Sequence, residues 1–430
     1  MKAAALRIGL GLVMLSLATL TAQAQLRGHG GPVRAVAVSP DGKTAVSGSF
    51  DQSAIRWSLT RNAAEQVLRF HEGAVNAAVF LPDGRFATAG EDRHIALWTP
   101  GRDRPDRVFD GHEAPIAALA VSPDGTMLAS ASWDHTVRLW KVDGSGARVL
   151  EGHEQNVNGV AFAPDGRTLV SVGYDATLRI WPVAGGTPAV KHLPTPLNSV
   201  AVAPNGEIVT GGADGKVYVL SAAGDVIGTI EAGPAPIIAV AVSRDGALAA
   251  GAGIRGSVAV IDLTQRTLTR TLVGPGLPVW SLAFLPDNRT LLTGGTDRVV
   301  RRWNAISGDP VGLVASGGIE DPLAAYAGDH GAEVFRACVA CHTLTPDVGN
   351  RAGPTLAGIF GRKIATLPGY NFSPALKKLD IVWTPETVAK LFEVGPASYT
   401  PGTKMPEQRI GSAEDRAALV QFLEKATRPH

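Results

Sequence analysis

The sequence predicts a multidomain chain: an all-β propeller of seven blades followed by a small all-α domain. Three observations carry that prediction. A four-residue turn signature recurs seven times at a spacing of about 41 residues, as SPDG at 39–42, LPDG at 81–84, SPDG at 122–125, APDG at 163–166, APNG at 203–206, SRDG at 243–246 and LPDN at 285–288. Each copy is flanked by short runs with the period-2 alternation of half-buried strands, such as Val33, Ala35 and Ala37. Beyond residue 316 the alternation stops, and cap signals with helical spacing replace it.

Residues 1–24 read as an address rather than as fold. Lys2 and Arg7 make a positive n-region, Ile8 to Leu20 an apolar run, and Ala22-Gln23-Ala24 a small-residue cleavage site. The run is shorter than the roughly 20 residues needed to cross a bilayer, so cleavage before Gln25 is expected rather than stable membrane insertion. This is a bacterial-type export signal, and the mature chain is expected in the periplasm, where paired cysteines persist as disulfides unless another chemistry claims them. Forty Lys and Arg against 39 Asp and Glu leave a net charge of +1, without the basic excess that a nucleic-acid partner requires.

The propeller is expected over 25–316. In each unit a strand precedes the turn, a second follows it, and a third ends in an apolar anchor: Trp57, Trp98, Trp140 and Trp181, then Leu220 and Ile261, then Trp303. Four short strands per 40–45 residues is the anatomy of a propeller blade. With Gly28-His29, Gly111-His112 and Gly152-His153 opening units, and Ser132-Trp133-Asp134-His135-Thr136-Val137-Arg138-Leu139-Trp140 closing the third, this region resembles the WD40 family. The resemblance implies that each turn aspartate bonds the histidine of its own blade: Asp51 with His29, Asp92 with His71, Asp134 with His112 and Asp175 with His153. These are then structural pairs rather than catalytic dyads. Units five to seven lack the Gly-His pair, and Arg255 stands where the sixth aspartate should, so those blades are expected to lean on glycine-rich turns and apolar packing. Gln25-Leu26-Arg27 leaves only a stub before the first blade, while 310–315 can supply an outer strand. The last blade is therefore expected to close mainly with its own strand.

Gly251-Ala252-Gly253-Ile254-Arg255-Gly256 satisfies the dinucleotide-binding spacing, but the residues that follow, Ser257 to Ile261, read as a strand where that motif needs a helix. It is a blade turn. Residues 317–327 read as a linker, and the helical domain follows over 328–430, with Asp329 as the cap of its first helix.

That helix leads into Cys338-Val339-Ala340-Cys341-His342, which holds both cysteines of the chain. A thioredoxin-like pair expects a βαβ context, and a zinc site needs further ligands with no cysteine left to supply them. C-x-x-C-H is the attachment signature of a c-type haem: two thiols on one helical turn add to the porphyrin vinyl groups, and the adjoining imidazole ligates the iron. A plain disulfide is the other use of the pair. One covalent haem c is expected, on Cys338 and Cys341, with His342 as an axial ligand. Two methionines remain after cleavage, Met127 in a blade and Met405 in Pro401-Gly402-Thr403-Lys404-Met405-Pro406.

Residues 328–428 resemble a class I cytochrome c, on Cys338 to His342, the run from Gly353 to Lys363, Trp383, the segment from Tyr399 to Met405, and the closing helix around Ala418 to Lys425. The resemblance implies that Met405 is the second iron ligand, that the Pro354 carbonyl orients His342, and that Arg362 and Trp383 meet a haem propionate. It also implies that Phe335 and Leu423 pack the first helix on the last. Phe372, Leu376 and Leu391 stand where many relatives carry polar side chains, which thins the network around Met405 and leaves His330 or His430 as replacement ligands at high pH. The resemblance implies a one-electron carrier whose redox partner protein docks on the propeller. Lys363, Lys377, Lys378, Lys390 and Lys404 are candidates to steer an acidic partner, with ordinary solvated lysines as the plainer reading. The alternatives are an oxidoreductase whose propeller holds a second cofactor, and a haem sensor of a gas or of redox state.

Overall fold

A computed structural model describes residues 25–273, 277–311, 323–336, 338–340, 342–346, 354–368, 370, 372, 375–401, 403, 405 and 409–428. The signal segment, Cys341, Lys404 and His430 lie outside the described residues, as does most of the stretch read as a linker.

Among the described residues, 28 strands form seven antiparallel four-stranded sheets. The third blade is typical: Ile116–Val121, Met127–Ser132, Val137–Lys141 and Ala147–Leu150 lie side by side in sequence order. The recurrent turn joins the first two strands of a blade. In the first copy the Gly42 amide donates to the Ser39 carbonyl at 2.9 Å, and the Ser39 hydroxyl donates to Asp41 at 2.6 Å. Gly42 sits at φ +69°, a left-handed conformation that an ordinary side chain resists. The seventh copy has Asn288 there at φ +58°, the non-glycine residue that best tolerates it.

Ring closure differs from expectation. Leu26–Arg27 is the fourth strand of the seventh blade, pairing Leu26 with Val300 and Arg27 with Val299. Pro310 makes an isolated bridge to Trp303 and the Val311 amide donates to the Arg302 carbonyl at 3.0 Å, while residues 312–315 lie outside the described residues. The stub prevails because Leu26 is an apolar anchor, 1% exposed in the core between blades seven and one. Burying it there ties the two ends of the ring together. Gly251 to Gly256 falls in the hairpin between Leu248–Gly253 and Ser257–Asp262, a blade turn as read.

Every innermost strand carries a register shift after its first residue. The inserted residues are Arg34, Asn76, Ala117, Asn158, Asn198, Ile238 and Trp280, and they line one central channel of about 240 Å³. A bulge leaves its extra residue outside the ladder and re-aims the side chain. Asn76, Asn158 and Asn198 use that freedom to donate to the carbonyls of Ile116, Leu197 and Ile237 in the neighbouring blades, at 2.9–3.0 Å.

Among the described residues the C-terminal domain has four α-helices: α1 (His330–Phe335), α2 (Pro385–Val394), α3 (Pro396–Tyr399) and α4 (Ala413–Ala426). Asp329 caps α1 by accepting from the Ala332 amide at 3.1 Å, and Ser412 caps α4 through the Asp415 amide at 3.1 Å. The first and last helices cross where Gly331 faces Ala418 and Phe422, with the Phe335 and Phe422 rings 5.4 Å apart and Leu423 in the same core. Leu323 and Tyr326, at the end of the stretch read as a linker, also pack into this core. Among the described residues no helix is long and apolar enough to cross a membrane.

Candidate functional site

The site is built on the segment after α1. A short 3-10 turn, Cys338–Ala340, buries Cys338 against Val388, Leu391 and Phe422, and the His342 amide donates to the Cys338 carbonyl at 3.0 Å. His342 Nδ1 lies 2.7 Å from the Pro354 carbonyl, which can only accept. The proton therefore sits on Nδ1, and the lone pair of the ring lies on Nε2. This is the orientation expected from the sequence.

The loop bearing Pro354 is itself fixed. Leu356 donates its amide to the Thr343 carbonyl at 2.9 Å, and the Thr355 hydroxyl donates to the Thr345 carbonyl at 2.7 Å. Arg362 donates to the carbonyls of Thr355 and Ala357 at 3.0 and 3.1 Å, and partial burial lowers its pKa. Arg362 thus clamps the loop that orients His342, a role that sequence reading missed because both acceptors are backbone carbonyls. Trp383 pairs through its backbone with Gly361 and Arg362, and its ring packs on the helical core. Among the described residues its indole N–H has no hydrogen-bond partner. Met405 packs on the core that buries Cys338, its amide donating to the Thr403 hydroxyl at 3.1 Å. Of the expected set, the structure brings Cys338, His342, Pro354, Arg362, Trp383 and Met405 to one small domain; Cys341 lies outside the described residues. A buried thiol and a thioether on one core, with an imidazole oriented through its Nδ1 in the same domain, form a donor set that fits an iron porphyrin.

The remaining groups around this domain are partnered or exposed. His330 Nε2 lies 2.8 Å from Asp415. Lys363 pairs with Asp380 and Lys390 with Glu393, at 2.7 and 2.9 Å. Lys377 and Lys378 are exposed without an ion pair among the described residues. Phe372 packs against Tyr370 with the rings tilted by 55° and their centroids 4.6 Å apart, and Leu391 is buried in the helical core.

In the first four blades every expected His–Asp pair is present. His29, His71, His112 and His153 each place Nδ1 against the turn aspartate of their own blade, at 3.0, 2.9, 2.6 and 2.8 Å. The sequence did not reveal the rest of the network. Each Nε2 meets a hydroxyl of the second strand, Ser47, Thr88, Ser130 or Ser171, and the same hydroxyl accepts from the anchor Trp57, Trp98, Trp140 or Trp181. The indole N–H donates to the hydroxyl, the hydroxyl to Nε2, and Nδ1–H to the carboxylate, so one neutral imidazole satisfies every buried group. These dyads are structural. Serine and threonine are too common in strands for their spacing alone to have marked them.

Blades five and seven correct the expectation that they rely on apolar packing. Tyr218 donates its hydroxyl to Asp214 at 2.6 Å, and Arg301 donates to Asp297 at 2.8 and 2.5 Å, so tyrosine and arginine replace the histidine. Burial, with the adjacent Asp214, raises the Tyr218 phenol well above its usual range.

The blade carboxylates set the acid limit of the propeller. Burial pushes Asp134 up, but hydrogen bonds from His112, Thr136 and the Glu113 amide outweigh it and hold the carboxyl well below the usual range. Asp51, Asp92 and Asp175 shift in the same direction with the same opposition. A folded pKa below the unfolded value means that the unfolded chain takes up the proton first. The stabilisation is therefore complete above about pH 4 and is lost as pH falls through the lowered folded values. Burial also lowers His153, which adds a gentler loss beginning below about pH 6.5. Urea midpoints of the propeller's β-sheet signal should be near-maximal at neutral pH and drop steeply below pH 4; a flat profile from pH 7 to 2 would contradict the network.

Comparison with known proteins separates the two regions. The family model for the WD domain, G-beta repeat, matches residues 20–58, 63–99, 103–141, 144–182, 189–221 and 266–304, passing over blade six, where Arg255 replaces the aspartate. The model for cytochrome c matches residues 328–427. Cytochrome c of Cochliobolus lunatus is 40% identical over 99 residues, which are 23% of this chain and 91% of that protein. Cytochrome c type-1 of Ascaris suum is 41% identical over 100 residues, 23% of this chain and 86% of that protein. A cytochrome c homolog of Rickettsia felis is 39% identical over 95 residues, 22% of this chain and 54% of that protein.

Proposed function

As a chain that belongs to the WD40-repeat family over its blades and to the cytochrome c family over residues 328–427, this protein is an electron-carrying haem cytochrome, and we propose that it works in the periplasm with its propeller as a docking module. The observation that carries the reading is His342, whose Nδ1 is held by the Pro354 carbonyl at 2.7 Å one turn beyond the buried Cys338. A haem c bound there supplies reversible one-electron chemistry at its iron. Cys338 and Cys341 would hold it covalently, His342 and Met405 would ligate its iron, and Arg362 keeps the His342 loop in place. Ligation by both a thioether and an imidazole would suit electron transfer to a partner protein rather than catalysis on a small substrate. Export rests on the segment ending at Ala24, and docking on the family analogy of the propeller. Lys377 and Lys378 are the exposed charges available to steer an acidic redox partner.

The test is optical. The mature protein should contain one haem per chain that acid extraction cannot remove, low-spin in both oxidation states, with a methionine-to-iron band. In Met405→Ala the haem should stay attached while that band vanishes, the potential falls and added imidazole binds. An unaltered spectrum would remove Met405 from the ligand set. A second chromophore or metal in the wild type would favour an oxidoreductase instead.

A further inference from the structure

One mouth of the propeller channel holds a cation with no direct ion pair among the described residues. Arg34 is the bulged residue of blade one; it forms no hydrogen bond or ion pair among the described residues, and its guanidinium lies 4.6 Å from the Trp280 ring centroid and 5.9 Å from that of Phe50. The nearby Glu91 accepts from the Ala74 amide instead. Burial lowers the pKa of Arg34 more than the charges of Tyr174 and Glu91 raise it, so the group is short of solvation and those charges offset this only in part. Aromatic side chains surround it. Phe50 and Tyr174 are 39% and 42% exposed, Trp280 and Trp133 line the channel, and Trp133 is oriented by donating to Asn158 at 3.2 Å.

We propose that this mouth is the docking site of the propeller, and that it takes the carboxylate of an acidic segment of a partner protein, gripped by Arg34 between Trp280 and Phe50. A guanidinium offers a planar fork that matches a carboxylate in a bidentate pair, and ring stacking holds the fork in place beforehand. Arginine with tryptophan, tyrosine and phenylalanine is the composition of protein-interface anchors, and the exposed rings supply contact area beyond what a small acid would use. The location suits electron transfer as well. Arg34, Phe50 and Tyr174 lie at the end of the blades where the fourth strand of one blade runs into the first of the next, as does Arg69, whose guanidinium lies 4.8 Å from the ring centroid of Tyr370 in the helical domain. A partner held at the mouth is on the side of the propeller that the haem domain touches.

The inference rests on the docking role proposed above, and the experiment separates the two. Fluorescence anisotropy on the full holoprotein uses an amidated nonapeptide with three glutamates and its glutamine counterpart. The glutamate peptide should bind saturably, with affinity about tenfold or more higher than the glutamine peptide and a similar loss in Arg34→Met. Phe50→Ser, at an exposed position, should weaken binding about threefold without touching the fold. The haem spectrum should be unchanged in both. Equal binding of the two peptides, no effect of either substitution, or displacement by free glutarate at equal concentration would each overturn the proposal. Hydrogen exchange on the same samples should show protection at Phe50, Trp133 and Tyr174. Protection elsewhere on the propeller would overturn the Arg34 site and leave the docking role standing; protection confined to 328–427, or none, would overturn both.

Discussion

A chain carrying Cys338→Ala and Cys341→Ala is expected to contain no haem that survives denaturing extraction, while its propeller unfolds at the wild-type urea midpoint. The two regions respond separately because the core that buries Cys338 is assembled from the helical domain alone, with Val388, Leu391, Phe422 and Leu423 around it. A prosthetic group bound by the folded state alone contributes its binding free energy to that state, so the helical domain should lose cooperativity when the haem goes. The propeller keeps its own supports: eight hydroxyl contacts in blades one to four, to the histidines and to the indoles, and the Leu26–Arg27 strand that closes the ring. Haem staining of the denatured chain and urea unfolding followed by β-sheet circular dichroism would check both parts. Retention of inextractable haem would disprove the attachment; parallel loss of the propeller would show that the two regions fold as one.

Gly331→Ala should destabilise the helical domain despite placing a better helix former in α1. Propensity favours alanine by about 1 kcal/mol in a helix interior. Against that, a Cβ at Gly331 would stand 2.1 Å from the Ala418 carbonyl oxygen and 2.6 Å from the Phe422 Cβ, both on α4. Neither neighbour is the tip of a flexible chain. Separating the helices would open the Phe335–Phe422 contact, and overpacking of this kind costs about 1–3 kcal/mol and occasionally more. The clash prevails, and for a domain of about 100 residues a net loss of 2 kcal/mol lowers Tm by about 8 °C or more. Gly411→Ala is the control: nothing lies within 4 Å of its added Cβ, and Tm should stay close to wild type. Melting followed through the haem absorbance distinguishes them, and equal melting of both variants would show that the helices do not meet at Gly331.

Periodicity and local chemistry were legible in the chain as a string of residues. A turn needing a left-handed residue announces itself at every repeat by glycine, or by Asn288 in the last, because few side chains tolerate that backbone. Two cysteines and a histidine within five residues announce one helical turn's worth of ligands for the same reason of short range. The His–Asp pairs were reachable through the resemblance to the WD40 family, whose motif residues stand at matching positions in the first four units. What only the tertiary structure decided are relations between residues far apart, or between a side chain and a backbone carbonyl. Leu26 closes the seventh blade rather than the first because the ring brings residue 300 beside it, and no local pattern encodes a partner some 270 residues away. Tyr218 and Arg301 take over the role of histidine because the blade demands a donor to its aspartate and does not demand an imidazole. Arg362 clamps the Pro354 loop through carbonyls that every residue possesses, which composition cannot single out. Arg34 is an unremarkable charge in a strand until seven bulges turn their residues into one channel and leave it between two aromatic rings with no direct ion pair among the described residues.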